Sequence, residues 1–108
     1  MDIIFAKKQY KDVFFPNYEE SFTEDDAILY FEDQEKIVVM NSSAICIWNY
    51  LVQQIKESCS STVLTLDDLM EVIKSNFNDT IGIDDEISND IIEIVDSFFE
   101  GGLLNCQP

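Results

Sequence analysis

The run Lys36-Ile37-Val38-Val39-Met40-Asn41-Ser42-Ser43-Ala44-Ile45-Cys46-Ile47-Trp48 constrains the fold more than any other stretch. It opens with an apolar, β-branched segment after Lys36, which is strand chemistry. Within two residues the pattern turns helical. Ala44, Ile45, Trp48, Leu51, Val52 and Ile55 recur at helical spacing and mark a face turned to a core. Between the two halves lie Asn41 and Ser42, and the side chain of either accepts from free backbone N–H groups as a helix cap. A strand must therefore pass almost directly into a helix anchored by the only tryptophan. This junction is read as one wall of a groove that holds another peptide rather than performing chemistry.

The strand half finds a partner just upstream. Ala27-Ile28-Leu29-Tyr30-Phe31 is strand-like, and Glu32-Asp33-Gln34-Glu35 is a polar turn before Lys36 to Met40 returns. Two such runs make an antiparallel hairpin. Alternation sets Ile28 and Tyr30 on one face, Leu29 and Phe31 on the other. Both faces are apolar, so one is expected to pack on helices and the other to meet an N-terminal strand or a ligand. Further upstream, residues 3–5 and 13–15 are short apolar runs that read as short or edge strands. Pro16-Asn17 closes the second, because proline cannot continue a ladder. Tyr18 to Asp26 is acidic and reads as a loop.

Downstream, Lys56 to Ser61 is polar and ends the first helix. Thr65-Leu66-Asp67-Asp68 has the form of a capping box, followed by Leu66, Leu69, Met70, Ile73 and Phe77 on one helical face. Asn76 to Gly82 reads as a loop. A last helix is expected from about Glu86 to Glu100, with the acids of Asp84-Asp85-Glu86 at its favourable end. Ile87, Ile91, Ile94, Val95 and Phe98 form its main stripe, while Ile92 and Phe99 are apolar off that stripe. A second apolar strip implies a covered or ligand-facing side. Gly101-Gly102 stops the helix and Leu103-Leu104 tucks back. Strands followed by three moderate helices give an α+β fold, with helices packed on one side of a small antiparallel sheet. A hairpin beside three helices is also the outline of a winged helix-turn-helix.

Charge excludes several functions. The chain carries 22 acidic residues against 6 lysines, a formal net charge of −16. Such a surface repels phosphate backbones and anionic membranes and attracts basic partners. The last helix offers Asp90, Glu93, Asp96 and Glu100 and no basic residue, so a recognition helix for DNA is set aside. Lys7, Lys8 and Lys11 give the first eleven residues a local excess of positive charge. That segment either folds back on the acidic body or extends as an arm, and the sequence leaves both open. No apolar run approaches the length of a membrane span, and no signal-peptide pattern is present. Cys46, Cys59 and Cys106 are odd in number and widely spaced, as in a reduced, cytoplasmic chain. Cys46 is expected in the core and Cys106 near the surface.

The residues of most enzyme chemistries are missing. There is no histidine, which removes the usual general base and the commonest transition-metal ligand. No Cys-x-x-Cys pair points to zinc, and no glycine-rich run would cradle a phosphate. Asp84-Asp85-Glu86 lacks the alternating ligand spacing of a calcium loop. The expectation is a non-catalytic protein with no metal and no cofactor.

Met40-Asn41-x-x-Ala44-x-x-Ile47-Trp48-x-x-Leu51 resembles the strand-to-helix signature of the PqqD-like family, the peptide chaperones also called RiPP recognition elements. Thr65-x-x-x-Leu69 looks like the start of that family's second helix. Asp90-Ile91-x-x-Ile94-Val95-x-x-Phe98-x-x-x-Gly102-Leu103-Leu104 resembles its terminal signature. The likeness covers about residues 27–104, leaving 1–26 as an N-terminal arm and first-strand region. Val52 to Leu64 is longer than the corresponding family link and has no glycine, so the first helix extends or a loop is inserted.

The resemblance implies three antiparallel strands followed by three helices. It also implies a function, binding the leader of a ribosomally made precursor peptide and presenting it to a modifying enzyme such as a radical SAM enzyme, a cyclase or a leader protease. In such proteins the leader adds as a strand to an exposed edge and lies against the last helix. Here Lys36, Ile37, Val38, Val39 and Met40 would be the pairing strand. Asp90, Ile91, Ile94, Val95 and Phe98 would form the opposite wall, with Ile91, Ile94 and Phe98 receiving apolar leader residues and Asp90 a basic one. The alternative is a regulatory or scaffolding subunit that docks on an enzyme without binding a leader. An exposed edge strand also allows a homodimer.

Overall fold

A computed structural model describes residues 1–5, 8–24, 26–57, 62–76 and 84–107, the side chains of 84, 85 and 107 excepted. The expectations for Lys7, Cys59, Phe77 and the loop after Asn76, and for the side chains of Asp84 and Asp85, lie outside the described residues. The fold is α+β, with three α-helices and two sheets.

One sheet is the expected hairpin with an added strand. β3 (Glu19–Phe22), β4 (Ala27–Phe31) and β5 (Lys36–Met40) pair antiparallel in that order. Cross-strand partners include Leu29 with Val38 and Tyr30 with Ile37. The turn is a short 3-10 segment, Glu32–Gln34, closed by Glu35 in the left-handed region at φ 49°. β3 corrects the reading of Tyr18 to Asp26 as a loop. All four of its residues are exposed, so it shows no apolar alternation, yet its backbone pairs with β4 from Glu19–Tyr30 to Phe22–Ala27. A charged strand at a sheet edge discourages further pairing on that side.

The other sheet is mixed and has the order β6-β1-β2-β7. β1 (Asp2–Ile4) and β2 (Gln9–Phe14) are the N-terminal strands, paired antiparallel. β6 (Val63–Thr65) lies parallel to β1, and β7 (Asn105–Gln107) antiparallel to β2. The single small antiparallel sheet expected from the sequence is thus corrected to two sheets, and β6 and β7 come between and after the helices. The N-terminal segment folds back on the body. Met1, Ile3, Phe5 and Val13 are buried in the same core as the helices.

Helix α1 (Ser42–Glu57) starts where expected: the Ala44 N–H donates to Asn41 Oδ1 at 2.9 Å. It extends well past Val52, then gives way to β6. Helix α2 (Leu66–Asn76) opens on the capping box. The Thr65 N–H donates to Asp68 Oδ2 at 2.9 Å, and the Asp68 N–H donates back to Thr65 Oγ1 at 3.4 Å. Helix α3 (Asp84–Glu100) ends on Gly102 at φ 77°. The N–H groups of Leu103 and Leu104 both donate to the Phe98 carbonyl, at 2.9 and 3.1 Å, which returns both leucines to the core.

Trp48 sits at the centre, fully buried. Phe98, Tyr18, Phe31 and Phe15 meet it edge-on, with ring centroids at 5.2, 5.5, 5.9 and 6.4 Å. This cluster ties α1, α3, β4 and the segment after β2 into one core, and so fixes where β5 lies relative to α3.

Candidate functional site

β5 is an edge strand: it pairs with β4 on one side and with no other strand among the described residues. Its side chains alternate. Lys36, Val38 and Met40 turn inward, whereas Ile37 and Val39 are 67% and 62% exposed on the outer face. Between β5 and α3 runs a cleft of about 270 Å³. Lys36, Val38, Val39 and Met40 line it from the strand, and Ile94, Ser97 and Phe98 from the helix. The strand and the helix named from sequence as two walls therefore do face each other across an open space.

One end of the cleft is tied. Lys36 Nζ donates to the Gly101 carbonyl at 2.6 Å, and Gln34 Nε2 donates to the Gly102 carbonyl at 3.0 Å. An ammonium at the C-terminus of α3 is favoured by the helix dipole. A Cβ on Gly101 would stand 3.2 Å from Lys36 Nζ and 3.2 Å from the Ser97 carbonyl oxygen, so glycine keeps this tie close. Lys36 thus holds strand to helix instead of presenting its charge to the cleft.

Next to the cleft lies a second cavity of about 360 Å³. Asn41 and Ser43 at the start of α1, Ile73 of α2, and Ile87, Asp90 and Glu93 of α3 surround it. Ile94 lines both cavities.

The ten residues named from sequence therefore divide. Lys36, Val38, Val39, Met40, Ile94 and Phe98 meet around the cleft. Asp90 and Ile91 belong to the second cavity. Ile37 points to the outer face, and Val95 is fully buried in the core and lines neither cavity. Met40, Ile91 and Phe98 are almost wholly buried as well, so each contributes shape more than contact area.

The second apolar strip of α3 is covered. Phe99 stacks on Tyr10 of β2, with ring centroids 3.9 Å apart and planes 4° from parallel. The Tyr10 hydroxyl donates to Asp96, and Lys8 Nζ lies 3.5 Å from the same carboxylate. Burial first, and the Asp96 hydrogen bond second, push the Tyr10 phenol well above its ordinary range. This answers the open question about the basic N-terminal segment, whose β2 packs against α3 on the side away from β5.

Two features were not foreseen. The outer face of the β3-β4-β5 sheet is open, with Ile37 and Val39 beside a 38%-exposed Tyr30, and the N-terminal strands do not cover it. A third hollow, about 530 Å³, gathers Phe15, Tyr18, Glu19, Glu20, Glu32 and Lys56. There the Glu32 carboxyl is raised from its ordinary value, first by a hydrogen bond with Glu19 and then by its charge.

Cys46 and Cys106 carry free, half-buried thiols, and burial pushes the Cys46 thiol upward. Among the described residues, no group of three or more acidic, cysteine or histidine side chains is placed to hold a metal ion. Nor, among them, is any helix long and apolar enough to cross a membrane. No family model matches the chain, and no curated protein or solved structure matches it.

Proposed function

We propose that this protein is a non-catalytic peptide-binding module. It receives an extended segment, the leader of a precursor peptide, against β5 and presents it to a modifying enzyme. The observation that carries this reading is an edge strand, unpaired by any other strand among the described residues, facing a helix across an open cleft. A strand edge exposes N–H and C=O groups that an extended peptide satisfies, and pockets for alternate side chains supply selectivity. The β4–β5 hairpin beside α1, α2 and α3 supports a winged helix-turn-helix reading of the fold, in which β5 and α3 are the working pair. The sequence resemblance to the PqqD-like family points the same way.

The exposed Ile37, Val39 and Tyr30 favour a second reading, in which the outer face docks on an enzyme. One titration separates the two. Isotope-labelled protein is mixed with a candidate leader peptide, and amide signals are followed. Leader binding predicts saturable shifts at Ile37 to Met40 and at Ile94. Val39→Pro, which deletes a backbone donor from β5, and Ile94→Asp, which puts a charge in the cleft, should each weaken binding at least about tenfold. Unchanged affinity in both variants, with melting curves showing that both fold, would sink the groove reading. Enzyme capture lost only on Ile37→Asp would favour the docking reading.

A further inference from the structure

The second cavity gives the groove a directional preference that the cleft alone lacks. Asp90, Ile94 and Phe98 are spaced four residues apart on α3 and so lie along one face, with a step of about 6 Å. Alternate residues of an extended strand on one face are separated by about 7 Å. These two repeats nearly coincide. A peptide strand running along α3 with one side chain over Phe98 and Ile94 would thus bring its next same-face neighbour over Ile94 and Asp90, at the second cavity. The two hollows adjoin, since Ile94 lines both and Met40 of the cleft is followed directly by Asn41 of the cavity. The tie from Lys36 to Gly101 marks the opposite end.

The cavity has an apolar body and an acidic mouth. Ile47, Ile73, Ile87 and Ile91 are buried, while Asp90 and Glu93 are exposed. Neither carboxylate has an ion-pair partner among the described residues. The start of α1 also borders the cavity and contributes a positive end of roughly half a charge. Two full carboxylates outweigh it, and the net charge of −16 adds to them at longer range. Apolar walls beneath an acidic rim match a long aliphatic stem that ends in a cation, which buries its methylenes and keeps its charge at the surface.

We infer that the cavity bounded by Ile73, Ile87, Asp90 and Glu93 is a specificity pocket for an arginine or lysine side chain of the bound peptide. That residue lies two positions along the strand from a large apolar residue held in the β5–α3 cleft. The inference rests on the groove reading above and adds to it the chemistry and spacing of the occupant.

The test uses the full chain and a phage library of random peptides of about twelve residues, long enough to span about 40 Å extended. Selection is run on wild type and on the double variant Asp90→Asn, Glu93→Gln. Selected peptides are then made with the basic residue or with norleucine, and titrated into labelled protein. Expected on wild type is enrichment of arginine or lysine at a spacing of two from a large apolar residue. The basic peptide should bind about tenfold more tightly than its norleucine twin at low salt. In the double variant that advantage should vanish, while the norleucine peptide binds both proteins alike. Peptides that shift Ile37 to Met40 without any basic preference, or that keep the preference in the double variant, overturn the pocket and leave the groove standing. If no selected peptide shifts Ile37 to Met40, the groove reading falls and the pocket with it.

Discussion

Trp48 shows how a single side chain sets the geometry of the groove. It is packed edge-on by four aromatic rings drawn from β4, α3 and the segment after β2. Its indole Nε1 is buried and has no hydrogen-bond partner of good geometry. The indole N–H does act on the neighbouring Tyr18 phenol: burial raises that group, and the N–H opposes the rise. An N–H left without a full bond forfeits part of what the large ring gains by burial. Trp48→Phe should therefore cost only about 1–2 kcal/mol, because it loses ring area and sheds the orphan donor together. Trp48→Ala should cost about 3–5 kcal/mol, since it leaves a cavity between α1 and α3. Urea unfolding followed by far-ultraviolet circular dichroism measures both. Equal losses in the two variants would mean that Nε1 is well satisfied and that the ring edge carries the packing.

At the scale of elements, the β4–β5 hairpin is set by its turn. Glu35 holds φ 49°, a conformation that costs a side-chain-bearing residue about 1–2 kcal/mol. Glycine removes that strain but adds about 0.5–1 kcal/mol of unfolded-chain entropy. Glu35→Gly should thus stabilise the protein by a net amount of about 0.5–1 kcal/mol, read as a higher urea midpoint with unchanged slope. A lower midpoint would show that the Glu35 side chain makes a contact worth more than the strain.

The same hairpin shows why some elements were legible in the sequence and others were not. β4, β5 and the helices carry their apolar periodicity within themselves, so residues such as Leu29, Leu51 and Ile91 announced their faces. β3, β6 and β7 are three or four residues long and owe their form to a neighbour's backbone. No local pattern in Glu19-Glu20-Ser21-Phe22 records that neighbour. The site divides likewise. Ile94 and Phe98 line the cleft and lie on the stripe of α3 that the sequence shows, but the stripe is wider than the cleft. Val95 on the same stripe turns into the core, and only the packing of α2 and α1 against α3 decides which side each residue takes. The second cavity depends wholly on that packing, so sequence pointed to Asp90 and missed Glu93 and Ile73 beside it.

On the scale of the whole molecule, charge acts on folding and on binding with opposite signs. A net charge of −16 on 108 residues opposes the compact state by self-repulsion. Added salt screens this, since the Debye length falls from about 14 Å at 50 mM to about 4 Å at 500 mM. The melting temperature should rise over that range. Association with a basic peptide should slow over the same range, because the acidic field that steers it is screened equally. Acid supplies an independent check. The Glu32 carboxyl is raised by its hydrogen bond and repulsion with Glu19, so the folded chain binds this proton more readily than the unfolded chain. That contribution is fully present below the ordinary glutamate range and is lost as pH rises through the raised folded value. Stability should therefore increase as pH falls from neutral toward the upper edge of the carboxylate range. Glu32→Gln should flatten that part of the curve and raise the melting temperature at pH 7. Melts recorded across salt and pH, beside stopped-flow association at the same salts, test the claim. A melting temperature that falls with salt, or binding that strengthens with it, would show that ion pairs rather than repulsion dominate this surface.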